Sequence, residues 1–299
     1  MRDASRARSR TTAVATPSGW SVVDGCGPGP FVCRRVYEAP GGTRAVWESR
    51  RHRKGLGLAR PGRVRKPLRR FWSAPPGRQN TLIAVLFMVG AALFGLGSVP
   101  LYSDRVGAEQ VGLTFFAGSV FFTAAAYLTF FQVVNASRDP RGGAFGAPER
   151  PGFWSWEPRR IDWWATSVQF VGTVFFNVST FAATLGLGLD AEERFVWAPD
   201  ALGSIAFLAA SAFAYAEVAH RSPGSGRGPV EWWIAVLNVL GSLAFGLAAV
   251  AAFLVPDTGE PLSVALVNAG TFAGAACFFA GAYLLVPEAA EIEELTPSA

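Results

Sequence analysis

Trp232–Val255 reads WWIAVLNVLGSLAFGLAAVAAFLV. The stretch carries no charged residue. At 1.5 Å rise per residue it is long enough to cross a hydrocarbon core about 30 Å thick. A lone segment in lipid satisfies its backbone only as a helix, so the stretch predicts a membrane-spanning helix. The alternating ten-residue strands of a barrel do not occur in the chain. In its middle stands Gly241-Ser242-Leu243-Ala244-Phe245, a Gly-small-x-x-Phe signature in which small means Gly, Ala, Ser or Thr.

The signature recurs at Gly90/Phe94, Gly118/Phe122, Gly172/Phe176, Gly203/Phe207 and Gly274/Phe278, once in every apolar run and nowhere else. The runs predict six spans: Thr81–Leu101, Val111–Asn135, Trp163–Leu187, Pro199–Ala219, Trp232–Val255 and Leu262–Val286. Alignment on the glycine extends the likeness. Gln169 and Asn238 lie three residues before it, where the first run has Phe87. Gln132, Glu217 and Glu288 lie fourteen after it. The expected fold class is therefore an all-α membrane protein with six transmembrane helices as three repeated hairpins, 80–136, 161–220 and 231–288.

Charge sets the orientation. Hydrophobic residues make up 51% of the chain and charged residues 16%, and residues 1–79 hold 18 of the 27 Lys and Arg. A soluble domain spreads its charge over its surface. Segments 1–79, 136–162 and 220–231 carry 25 of the basic residues, and the loops between them carry only Arg105 and Arg194. Basic segments stay in the cytoplasm, so both termini are expected there. The 25 Arg against 2 Lys, with heavy use of Ala and Gly, fits a GC-rich bacterial genome and hence the bacterial inner (plasma) membrane.

Little hydrophobic drive joins helices within lipid, so small residues that let backbones approach are favoured at their contacts. Gly90, Gly118, Gly172, Gly203, Gly241 and Gly274 are read as helix-packing residues, with a substrate-lining groove as the alternative. Gln169, Asn177, Asn238 and Asn268 form the candidate intramembrane polar cluster. Burying such groups is costly, and they serve as interhelical hydrogen-bond glue, as a polar solute path, or in catalysis. Trp163, Trp164, Trp232 and Trp233 suit the headgroup level. Glu217, near a span end, is read as an interfacial acid paired with His220 or Arg221.

Residues 1–29 are expected to be a disordered basic N-terminus. Within 30–79, the partly alternating Phe31–Glu38, the turn Pro40-Gly41-Gly42 and the run Arg44–Ser49 predict a short cytoplasmic β-hairpin. A basic juxtamembrane segment follows. Arg50, Arg51, Arg53 and Lys54 are expected to contact anionic lipid headgroups. No zinc-finger, helix-turn-helix or RNA-binding signature accompanies them, so no nucleic acid is expected. Residues 289–299 read as an acidic cytoplasmic tail. Cys26 and Cys33 lack a metal spacing, Cys277 reads as a small core residue, and His52 and His220 are far apart. No catalytic, cofactor-binding or metal residues are therefore assigned, and no cofactor is expected.

Three stretches carry a family likeness: Ala45-Val46-Trp47-Glu48-Ser49-Arg50-Arg51-His52-Arg53-Lys54; Gly172-Thr173-Val174-Phe175-Phe176-Asn177-Val178-Ser179-Thr180; and Trp197-Ala198-Pro199-Asp200-Ala201-Leu202-Gly203-Ser204 with Phe207. With them the chain resembles the YrhK-like bacterial membrane proteins over about 45–288. The resemblance implies tandem transmembrane hairpins and no established activity. The expectation for function is a non-enzymatic multi-pass protein with a structural, sensory or partner-subunit role. It would work as a homo-oligomer or with a membrane partner protein. The alternative is a small permease or channel for a neutral or weakly polar solute.

Overall fold

The structure, a computed structural model, describes residues 16, 18–54, 78–136, 152–220 and 230–293. Three strands, β1 (Ser21–Cys26), β2 (Arg34–Glu38) and β3 (Arg44–Glu48), form an antiparallel sheet in the order β1-β2-β3. Tyr37 and Trp47 pack at its centre against Trp20 and Val32. The expected hairpin is thus the β2–β3 half of a larger sheet. Strand β1 corrects the expectation of disorder through residue 29. It is exposed along most of its length and held by backbone pairing to β2. It therefore lacks the apolar alternation that marks a half-buried strand. Residues 1–15 and 17 lie outside the described residues.

The chain runs from β3 directly into the short helix α1 (Ser49–Arg53), then through α2 (Arg78–Gly97), α3 (Pro100–Val106), α4 (Ala108–Val134), α5 (Ile161–Ala183), α6 (Leu189–Glu192), α7 (Ala198–Ala219), α8 (Val230–Ala251) and α9 (Val264–Glu293). Helix α2 ends before Pro100, which cannot donate into a continuing helix and instead opens α3. A π-helical turn at Glu193–Trp197 joins α6 to α7. Five stretches are long and apolar enough to cross a membrane: Gln79–Gly97, Ala108–Val134, Leu189–Ala219, Val230–Ala251 and Val264–Glu288. Helix α5, the expected third span, has 23 residues, within the 20–30 of the other long helices. Gln169, Asn177 and its Ser and Thr residues leave it less apolar, so composition alone does not mark it as a span.

The long helices contact one another in a closed cycle: α2 with α4, α4 with α5, α5 with α7, α7 with α8, α8 with α9, and α9 with α2. Each residue type of the signature has its own direction. The glycine meets the consecutive long helix. A Cβ on Gly90 would lie 3.0 Å from the Gly118 carbonyl oxygen, one on Gly203 3.2 Å from that of Gly172, and one on Gly274 3.0 Å from that of Gly241. The small residue after the glycine is buried: Ala91, Ser119, Thr173, Ser204, Ser242 and Ala275. Several of these face the neighbouring pair of helices. Ser119 Oγ donates to Asn177 Oδ1 at 2.6 Å, and Ser211 and Ser242 share a hydrogen bond of 2.8 Å.

The phenylalanines converge on the axis. Phe94, Phe176 and Phe245 form one triangle, with ring centroids 5.7–6.3 Å apart. Phe122, Phe207 and Phe278 form a second, 5.6–6.2 Å apart. Phe94–Phe122, Phe176–Phe207 and Phe245–Phe278, at 5.1–5.6 Å, join the triangles into a trigonal prism. These separations lie in the range aromatic pairs prefer. The bundle thus inverts the usual soluble pattern around its aromatic centre. Buried Ser and Thr sit between helices, while Leu82, Val120, Val174, Ile205, Leu243, Val250 and Phe272 are exposed on the outside. So large an apolar exterior suits lipid rather than water.

Candidate functional site

One end of the bundle gathers polar residues from two register positions. Ten residues before the signature glycine stand Asn80, Asp162 and Glu231, at the starts of α2, α5 and α8. Fourteen after it stand Gln132, Glu217 and Glu288, near the ends of α4, α7 and α9. Antiparallel neighbours bring the two positions to the same end. Sequence reading found the second position. It missed the first as a set, because Asp162 and Glu231 pass for ordinary helix-start acids.

Helix α1 inserts its basic residues here. Arg50 grips Glu288 with two hydrogen bonds, Nε to Oε1 at 2.6 Å and Nη2 to Oε2 at 3.1 Å. Lys54 Nζ donates to the same carboxylate. Ser49 Oγ donates to Glu217 Oε1, and Arg53 Nη1 reaches both Glu217 oxygens at 3.2 and 3.4 Å. Arg53 also lies 3.8 Å from Asp162, whose main partner is Arg160 at 3.0 and 2.6 Å. In the first pair of helices Gln132 Nε2 donates to Asn80 Oδ1 at 2.7 Å, and Asn80 Nδ2 donates to the Lys54 carbonyl. The sheet is tied to the same end. Val32 bridges Arg160, and Phe31 stacks edge-on against Phe213 of α7.

Burial governs the electrostatics. It depresses the Arg50 guanidinium, but Glu288, with help from Glu231 and Glu217, more than offsets this and leaves it above its ordinary value. Arg160 behaves alike through Asp162 and Glu157. Burial pushes the Lys54 ammonium down to about 8; Glu288 opposes the shift, while Arg50 and Arg53 add to it. Such pairs fix geometry more surely than they add stability, because desolvation offsets most of the attraction.

Beneath α1, between it and the phenylalanine prism, lies a chamber of about 100 Å³. Its lining includes Arg50, Arg53, Lys54, Asn80, Gln132, Thr166, Ser211 and the residues three before the glycine, Phe87, Gln169 and Asn238. Gln169 and Asn238 thus share one cavity. Asn177 does not line it: its Oδ1 accepts from Ser119 and its Nδ2 donates to Thr123 at 2.7 Å, between α5 and α4. Asn268 is half-buried on α9 and outside the chamber lining. The four residues therefore do not form one cluster. Polarity alone groups them in the sequence, and it carries no information on helix rotation.

Two further expectations change. Arg50, Arg53 and Lys54 are buried in ion pairs and turn away from any lipid surface, because the bundle offers them carboxylates. Arg51 is partly exposed and paired with Glu48. The basic run over 55–77 lies outside the described residues. Glu217 is fully buried against Ser49 and Arg53, not paired with His220. The His220 ring instead contacts the Ala216 carbonyl, and Arg221 lies outside the described residues. Trp163 is buried, donating its indole N–H to the Ser155 carbonyl, while Trp164 bonds Pro158. Trp232 is half-buried and Trp233 is exposed beside it.

Compared with known proteins, the chain matches no family model, no curated protein sequence and no solved structure. The five long apolar helices mark the chain as a membrane protein.

Proposed function

We propose that the chain is a six-span protein of the bacterial inner membrane, built as three hairpin repeats of YrhK-like type with both termini in the cytoplasm. It acts as a non-enzymatic partner subunit. The bundle is a scaffold that presents the three-stranded sheet at the cytoplasmic face, bounded by anionic lipid. The observation that carries this reading is the buried latch from Arg50, Arg53 and Lys54 to Glu217 and Glu288, which fixes the sheet's position on the bundle. The filled axis supports it too, since six phenylalanine rings stand where a continuous pore would run.

A photo-crosslinker at Arg44, an exposed position on β3, tests the reading in intact cells. A reproducible second protein captured there is expected. Recovery of the chain alone, with the crosslinker active, overturns it. The permease reading is supported by Gln169 and Asn238 sharing one chamber. Uptake into liposomes that vanishes with Gln169→Leu and Asn238→Leu in folded protein would favour it. Equal leak from all three proteins would remove it.

A further inference from the structure

The second large cavity lies beyond the phenylalanine prism, at the end of the bundle opposite the basic latch. It measures about 300 Å³ and sits behind the triangle of Phe94, Phe176 and Phe245, with Phe115 and Trp197 adding aromatic wall. Two charged residues line it, Glu192 and Asp200, and both are acids. The contrast with the first chamber is complete, because the charged residues lining that one are all bases.

Asp200 has no hydrogen-bond or ion-pair partner among the described residues. Its place near the start of α7 does not explain it. The helical path begins at Leu189 and continues unbroken through the π-helical turn, so Asp200 caps no free helix end. A half-buried carboxylate in a mostly apolar wall is costly unless a counter-charge meets it or a proton neutralises it. The face of an aromatic ring attracts a cation and repels an anion. Two carboxylates are too few to replace the hydration shell of a hard metal ion. A pocket of this size, mostly apolar with a few convergent polar groups, is the usual form of a small-molecule site.

We propose that this cavity is a binding site for an organic ammonium cation with an apolar body. The ammonium sits against Asp200, and the apolar part lies among Phe94, Phe176, Phe245 and Trp197. The inference does not rest on the partner-subunit reading, and a bound cation is compatible with either role of the bundle.

The test uses the full chain in neutral phosphatidylcholine nanodiscs, with empty nanodiscs as the blank. Calorimetric titration compares benzyltrimethylammonium with neopentylbenzene, its uncharged isostere. Saturable one-site binding of the cation is expected, at least about tenfold tighter than any binding of the isostere. Asp200→Asn is expected to weaken cation binding at least about tenfold while elution and thermal midpoint stay those of the parent. Absent cation binding, equal binding of the two probes, or unchanged affinity in folded Asp200→Asn overturns the proposal. Val267→Phe narrows the cavity and keeps the carboxylate. It is expected to abolish binding and serves should Asp200→Asn fail to fold; unchanged affinity in Val267→Phe also overturns the proposal.

Discussion

Gly274→Ala is the sharpest perturbation the signature allows. A Cβ there would lie 2.3 and 2.6 Å from Phe245 Cδ1 and Cε1, and 3.0 Å from the Gly241 carbonyl oxygen. Ordinary carbon contacts are about 3.5–4.0 Å, so α8 and α9 must part by about 1 Å or the ring must leave its rotamer. The ring cannot give way cheaply, because it also meets Phe94, Phe176 and Phe278 in the prism. Overpacking of this kind costs about 1–3 kcal/mol. Gly246→Ala is the matched control. It lies on the same helix pair, its Cβ would meet nothing within 4 Å, and exchange of a helical glycine for alanine there is expected to gain about 0.5–1 kcal/mol. The assay is detergent-driven unfolding followed by helical ellipticity. Gly241→Ala, at 3.0 Å from Phe278 Cε2, should fall between the two. Parent-like stability of Gly274→Ala, or equal loss in Gly246→Ala, would refute the packing assigned to the signature.

Arg53→Ala removes a guanidinium from the buried Glu217 carboxylate, which keeps the Ser49 hydroxyl, and should cost about 3–5 kcal/mol, whereas replacing both charged residues by apolar ones of similar volume should cost far less; a double-mutant cycle in the same assay decides. Lys54 should titrate near pH 8 in the folded protein, and nitrogen NMR can read this cleanly because the chain has only two lysines. Its folded value lies below the unfolded one, so the unfolded state binds the proton more tightly and stability should rise between about pH 8 and 10.5, by up to about 3 kcal/mol. A Lys54 midpoint at the model-peptide value would show that the ammonium is solvated. Asn177→Leu removes hydrogen bonds to Ser119 and Thr123 and should cost about 0.6–2 kcal/mol; no loss at all would mean that those groups find other partners.

The membrane character and the positions of the helices were legible because hydropathy and the Gly-small-x-x-Phe spacing are local properties. The role of each signature residue was not. Which way Phe122 or Ser119 points depends on the rotation of α4 against two neighbours, and a single helix of five-residue signal cannot fix that. Likewise the register position of Glu217 and Glu288 was visible, but their partners lie more than 160 residues away in α1. A basic run beside a membrane reads as lipid-binding until the bundle's own carboxylates are seen to compete for it. Strand β1 escaped for a different reason, since its order comes from backbone pairing rather than from any side-chain pattern.

The latch also poses a problem of matching symmetry. Three pairs of helices meet around an axis that the phenylalanine prism makes nearly threefold, yet there is one arm. A trimer of identical hairpins could close the same prism, but it would present three identical acidic mouths to a single basic segment. Joining the hairpins in one polypeptide lets each mouth take its own composition. Asn80 and Gln132 leave the first neutral, bonded to each other and to the Lys54 carbonyl, and the other two keep the carboxylates that one arm can neutralise. Covalent linkage thus supplies something no homotrimer has, a bundle with one distinguishable side.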